Sequence, residues 1–270
     1  MGMPFYVSPE QFMKDKADFA RKGIARGRAL VAVTQADGVL ICAENPSRNL
    51  HKVSEIYDRI AFAGVGKYNE FDQLRQAGIR HADVKGYTYS REDVDARSLA
   101  NAYAQNMGQI FTHEAKPLEV EILVAEVGAA PSDDQLFHIL YDGTVVDEEH
   151  WSVLGGDADA IAERLEGLFA ENSPLDQALR TAVIALGGPD RTLGVGELEV
   201  AVLERGNGRR AFRRLKQDDV SALLASTAEA ADEEAAGGDS GVGEAPSADA
   251  VAAGADADPV EAPVADEEPG

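Results

Sequence analysis

The chain has 270 residues and carries 48 acids against 25 bases, a formal net charge of −23. That balance argues against a nucleic-acid partner, which needs a dense basic face to release counterions, and against an anionic membrane surface for the same reason. The longest apolar runs fall far short of the roughly 20 residues that span a bilayer. Residues 1–28 mix Lys14, Asp15, Lys16 and Asp18 where a signal peptide has its apolar core, so the expected location is cytoplasmic.

The charge is unevenly spread. Residues 227–270 hold thirteen Asp or Glu, no Lys or Arg and no aromatic residue, which leaves 35 acids against 25 bases in residues 1–226. Such a tail cannot bury enough apolar surface to offset its ordering entropy, and it is predicted to be disordered. The folded part is then a domain over residues 9–226, preceded by a short apolar leader.

Taken in order, Ser8-Pro-Glu-Gln11 reads as a helix start, with Ser8 as cap, Pro9 at the first helical position and Gln11 reaching back at capping-box spacing. Met13, Ala17, Ala20 and Ile24 recur at helical intervals, and the helix is expected to end near Gly23 or Gly27. Leu30 to Val33 and Val39 to Ala43 are continuous apolar runs joined by Gln35-Ala-Asp-Gly38, a hairpin buried on both faces. A strand over Ile56 to Ala63, a helix over Asn69 to Ala77 and a longer helix capped by Asp93 follow; the last carries Leu99, Tyr103, Met107, Ile110 and Phe111 as one stripe. Strands are predicted at Val120 to Val127, Leu136 to Tyr141 and Trp151 to Leu154. Helices are predicted at Asp157 to Ala170 and at Pro174 to Leu186, the second capped by Ser173. Leu198 to Leu203 and Ala211 to Leu215 form a strand pair around Gly206-Asn-Gly208, and Asp218 to Leu224 is a short last helix. This succession predicts two sheets packed between helical layers.

Few motifs carry chemistry. Gly64-Val-Gly-Lys67 fails as a phosphate loop because Ala61 stands where its first glycine belongs and Tyr68 where Ser or Thr belongs. Asn45-Pro-Ser47 is no glycosylation acceptor, since proline fills the middle position. His51, His81, His113, His138 and His150 show no metal-ligand spacing, so no metal or cofactor is expected. The single Cys42 lies inside a predicted strand as a small buried residue. Arg21, Lys22, Arg26 and Arg28 form a basic cluster expected to pair with acidic neighbours, on this chain or the next.

Several blocks resemble actinobacterial 20S proteasome α-subunits: Pro4-Phe-Tyr-Val-Ser-Pro-Glu10, Ala20-Arg-Lys-Gly-Ile-Ala-Arg-Gly27, Ala43-Glu-Asn-Pro-Ser-Arg48, Ser54-Glu-Ile-Tyr-Asp-Arg59 and Gly66-Lys-Tyr-Asn-Glu-Phe-Asp72. Leu99-Ala-Asn-Ala-Tyr-Ala-Gln105, Lys116-Pro-Leu-Glu-Val-Glu121, Leu198-Glu-Val-Ala-Val-Leu203 and Arg210-Ala-Phe-Arg-Arg214 carry the likeness along nearly all of residues 4–226. The resemblance implies an α+β fold, a four-layer αββα sandwich of the N-terminal nucleophile hydrolase type. It also implies a seven-membered homo-ring on a barrel of catalytic β-subunits. In those catalytic relatives the first strand opens with a free threonine, whereas Gly27, Arg28 and Ala29 stand here, so no catalytic residue is expected. The alternative, a self-processing amidohydrolase or protease, needs Thr, Ser or Cys at that strand head. Thr34 and Cys42 lie elsewhere.

Further expectations come from the family alone. Lys52 is expected to dock the C-terminal carboxylate of an activating AAA-type ring ATPase, which delivers substrates tagged with a prokaryotic ubiquitin-like protein. Residues 1–8 are expected to be a mobile gate, with Pro4, Phe5, Tyr6, Val7 and Ser8 closing the axial pore among neighbouring copies. The Tyr-Asp-Arg gate motif of archaeal and eukaryotic relatives is missing near the start; Tyr57-Asp58-Arg59 has the letters but is read as opening a strand beyond the hairpin.

Overall fold

The structure, a computed structural model, describes residues 8–226. Pro4, Phe5, Tyr6 and Val7 of the expected gate and the acidic tail lie outside the described residues. The chain runs α1 (Pro9–Ile24), β1 (Leu30–Gln35), β2 (Gly38–Glu44), β3 (Val53–Tyr57), β4 (Ile60–Gly66), α2 (Tyr68–Thr88), α3 (Ala96–His113), β5 (Val120–Glu126), β6 (Gln135–Ile139), β7 (Val145–Glu148), β8 (Trp151–Leu154), α4 (Ala158–Leu168), α5 (Leu175–Gly187), β9 (Leu198–Glu204) and β10 (Phe212–Arg214). Residues 217–226 are helical.

Two antiparallel five-stranded sheets result, in the orders β10-β9-β2-β1-β8 and β3-β4-β5-β6-β7. Side chains alternate across each strand, so the β1–β2 hairpin feeds two cores at once. Val31, Val33, Leu40 and Cys42 point outward beneath Leu165, Leu179 and Ala182 of α4 and α5. Leu30, Ala32, Ile41 and Ala43 face Ala61, Ala63, Leu123 and Ala125 of the other sheet. Beyond that sheet, Phe62, Ile122 and Val124 pack under Leu99, Tyr103 and Met107 of α3. The layers are therefore αββα, as the order of elements predicts. Gly38 makes the hairpin turn possible: its φ is 141°, and a Cβ there would sit 1.9 Å from the Leu203 carbonyl oxygen.

α1 leans against the end of this sandwich. Ser8 caps it, its Oγ accepting the Gln11 N–H at 3.2 Å, but the Gln11 amide is spent on Asp15 and does not complete the reciprocal capping box. Ala20 and Ile24 pack on Phe111 and Tyr141, with Met13 and Ala17 at the margin. Lys16, buried in this seam, donates from Nζ to the carbonyls of Phe111 at 3.0 Å and Glu114 at 2.6 Å. A cation there meets carbonyls that the end of α3 leaves without helical partners.

The structure corrects several boundaries. The strand read at Ile56 to Ala63 is two strands, β3 and β4, and Asp58 and Arg59 form the tight turn between them. Tyr57-Asp58-Arg59 therefore ends one strand and turns, instead of opening one. α2 runs on to Thr88, eleven residues past the expected end at Ala77, because Gly78 lies where Tyr103 presses in: a Cβ would come 1.8 Å from the Tyr103 hydroxyl. Asp95 caps α3, its carboxylate accepting the Ser98 N–H at 2.8 Å, while Asp93 ends a preceding 3₁₀ turn. α5 begins after Pro174 with no side-chain cap; Ser173 instead gives its carbonyl to the Ala36 N–H at 3.0 Å. β7 was absent from the sequence reading, since an edge strand with little burial shows no apolar alternation.

Candidate functional site

The site forms where α1 passes into β1. α1 closes on Ala25, whose N–H reaches the Arg21 carbonyl, and the chain turns back with the Gly27 N–H on Ile24. Arg28 and Ala29 thus stand at the head of β1 with peptide nitrogens, continuous with the helix before them. The Arg28 guanidinium pairs with Glu44 at the end of β2, and Arg191 binds the same carboxylate at 2.9 Å. Burial pushes the Glu44 carboxyl up, but Arg191 and Arg28 outweigh it and hold the group below the usual carboxylate range.

Lys52 arrives from the loop between β2 and β3, and its Nζ donates to the Arg28 carbonyl at 2.5 Å. The side chain is half-buried. Burial, only partly offset by Glu44 and Glu199, pushes its amine down to about 8. The loop is tied to the sheet through Asn45, whose Nδ2 donates to the Leu50 carbonyl and to Glu199, both at 2.7 Å. Ammonium, guanidinium and carboxylate are thus gathered at one strand head, where Gly27, Arg28 and Ala29 supply no hydroxyl, thiol or α-amino group for acyl transfer. The other nucleophile candidates are excluded by position. The Thr34 hydroxyl donates to the His150 carbonyl at 3.1 Å at the opposite end of β1, and burial pushes the Cys42 thiol up to about 12 between β1 and β9.

The basic cluster divides. Arg28 pairs with Glu44, and Arg21 pairs with Asp18 at 3.3 Å and lies over the Tyr141 ring. Lys22 and Arg26 are exposed, and neither has an ion-pair partner among the described residues. Lys67 of the false phosphate loop holds Glu119 at 2.9 Å. His51 lies 3.2 Å from Glu199, His81 and His113 are exposed, and His150 stacks on Phe169. His138 lies between Glu121 and Glu148; burial pushes its imidazole down, and the two carboxylates outweigh this and raise it. Among the described residues no group of three or more His, Cys, Asp or Glu could hold a metal, and no helix is long and apolar enough to cross a membrane. Sequence reasoning missed Glu44, Asn45, Arg191 and Glu199 as parts of the strand-head site. One signal was present: Glu199 is an acid inside the otherwise apolar run Leu198 to Leu203.

Fold and strand head together define a proteasome-type sandwich without its nucleophile. The family model described as "Proteasome subunit" matches residues 24–202, and the chain belongs to that family, among its α-subunits. The chain is 65% identical over 224 residues to "Proteasome subunit alpha" of Acidimicrobium ferrooxidans, covering 83% of this chain and 97% of that one. Against the protein of the same name from Xylanimonas cellulosilytica it is 57% identical over 226 residues, covering 80% and 93%. Against that of Kineococcus radiotolerans it is 56% identical over 237 residues, covering 84% and 100%.

Proposed function

We propose that this α-subunit forms seven-membered outer rings on the β-subunit rings of a cytoplasmic proteasome core particle. It closes the axial pore with residues 1–8 and docks an AAA-type ring ATPase that brings proteins tagged with a ubiquitin-like partner. Catalysis belongs to the β-subunits. The observation that carries the reading is Lys52: a half-buried ammonium resting on the backbone of a strand head that has no nucleophile. An ammonium with a hydrogen bond to spare suits a terminal carboxylate. Such a charge-assisted contact contributes about 1.5–3 kcal/mol, multiplied when several pockets of a ring are engaged together.

Lys52→Ala tests this in the particle co-assembled with β-subunits. ATPase-stimulated degradation of folded substrates is expected to be lost, with assembly and basal hydrolysis of small peptides retained. Wild-type stimulation removes Lys52 from docking, and failed assembly makes it structural. Deletion of residues 1–8 is expected to raise basal peptide hydrolysis with assembly intact, since α1 is anchored through Lys16, Ala20 and Ile24. Unchanged peptide entry removes the leader from the gate.

A further inference from the structure

Lys52 sits at the end of a loop, residues 45–52, without helix or strand, yet its ammonium is held to a single backbone oxygen. Such placement requires an anchor. Glu199, on β9 opposite Ala43 of β2, is a buried carboxylate facing this loop. Its Oε2 accepts the Asn45 amide at 2.7 Å and the Lys52 N–H at 2.8 Å, while its Oε1 accepts the Val53 N–H at 3.3 Å. The Arg214 guanidinium pairs with the same carboxylate and also donates to the Val53 carbonyl at 2.7 Å; His51 Nδ1 lies 3.2 Å away. One side chain therefore grips both ends of the loop: Asn45 where it leaves β2, Lys52 and Val53 where it enters β3.

We infer that Glu199 is the positioning residue of the docking site, setting the Lys52 ammonium at the strand head without itself touching the activator. The inference rests on the docking reading above. A carboxylate is required because every group hydrogen-bonded to it, from Asn45, Lys52, Val53 and Arg214, donates; His51 Nδ1 faces the Arg214 guanidinium at 2.9 Å and takes its hydrogen instead. Only an ionised acid offers two acceptor oxygens and neutralises Arg214 as well. Glutamine in its place would turn an NH₂ toward donors and leave Arg214 without its counter-charge. Glu199 binds the backbone N–H of Lys52 and not its ammonium, so the ammonium keeps donors for an incoming carboxylate.

The test compares wild-type and Glu199→Gln particles, assembled with β-subunits, for binding a synthetic peptide of the ring ATPase's last ten residues. The peptide is made once with a free C-terminal carboxylate and once as the amide. Glu199→Gln is expected to weaken the acid peptide about tenfold and the amide peptide hardly at all, because only the former uses Lys52. Hydrogen exchange over residues 45–53 is expected to quicken, with residues 30–43 unchanged. Equal weakening of both peptides, or exchange unchanged at 45–53, overturns the inference and makes Glu199 a general brace of β9. If the wild-type particle itself fails to prefer the acid peptide, the docking reading falls and this inference with it, a failure recognisable because it needs no substitution. Should Glu199→Gln not assemble, Asn45→Ala loosens the loop from its other anchor and must give the same acid-selective loss.

Discussion

At its head β1 meets charge: Arg28, Glu44 and Arg191 are paired across the strand end, and Lys52 rests on the Arg28 carbonyl. At its far end it meets neutral groups. The Thr34 N–H and hydroxyl both go to the His150 carbonyl, the Ala36 N–H goes to Ser173, and the Gln35 amide oxygen takes the Asp37 N–H at 2.9 Å. The same apolar strand joins them, so the contrast separates two uses of hydrogen bonding. Neutral ties fix geometry and stay made. Half-exposed ionic ties can be re-partnered by a ligand and respond to pH.

The largest effect expected of this contrast lies in pH. Lys52 must be charged to hold a carboxylate, and its amine titrates near 8 instead of the ordinary 10.5. ATPase-stimulated degradation should hold below pH 8 and fade above it, with the activator about tenfold weaker at pH 9 than at pH 7. The stability contribution of this group has the opposite sign. Between about 8 and 10.5 the unfolded chain binds the Lys52 proton and the folded one does not, so the fold gains stability as pH rises through that window. Lys52→Met should remove both trends, read as stimulation and as melting temperature across the same buffers. A smaller effect belongs to Glu44→Gln. Both its arginines are about half exposed, which discounts the loss to about 1 kcal/mol, a fall of roughly 2–4 °C in the melting temperature of the assembled particle. Smallest is Thr34→Val at the neutral end, which removes one hydroxyl bond and keeps the backbone bond. It should cost about 0.5–1 kcal/mol by thermal unfolding and leave stimulation untouched at every pH. If Thr34→Val altered stimulation, the two ends would not be separable.

Much of this was legible in the chain. The β1–β2 hairpin announced itself through unbroken apolar runs and a glycine at the turn, and α1 through its cap and spacing. The resemblance singled out Lys52 as a candidate, but nothing in the sequence tied it to the carboxylate that holds its loop: Glu199 lies 147 residues away, and only the register of β9 against β2 brings them together. The turn at Asp58-Arg59 was hidden because it contains neither glycine nor proline, and α2 was cut short because a glycine that admits Tyr103 reads like a helix end. Local signals thus located the elements, while contacts between distant strands decided the site.

The buried Lys16 has a mechanical consequence. α1 stands on the body of the molecule by a rivet near its middle, by Ala20 and Ile24 near its base and by Met13 one turn above the rivet, leaving residues 8–12 as an overhanging boom. At 1.5 Å per residue that boom is about 7 Å long, so a tilt of about ten degrees would swing its tip by roughly 1 Å. The tip at Ser8 takes its aim from one ammonium seated on the end of another helix. Lys16→Met, which keeps the bulk and removes the rivet, would let that aim wander while the sandwich beneath stayed whole.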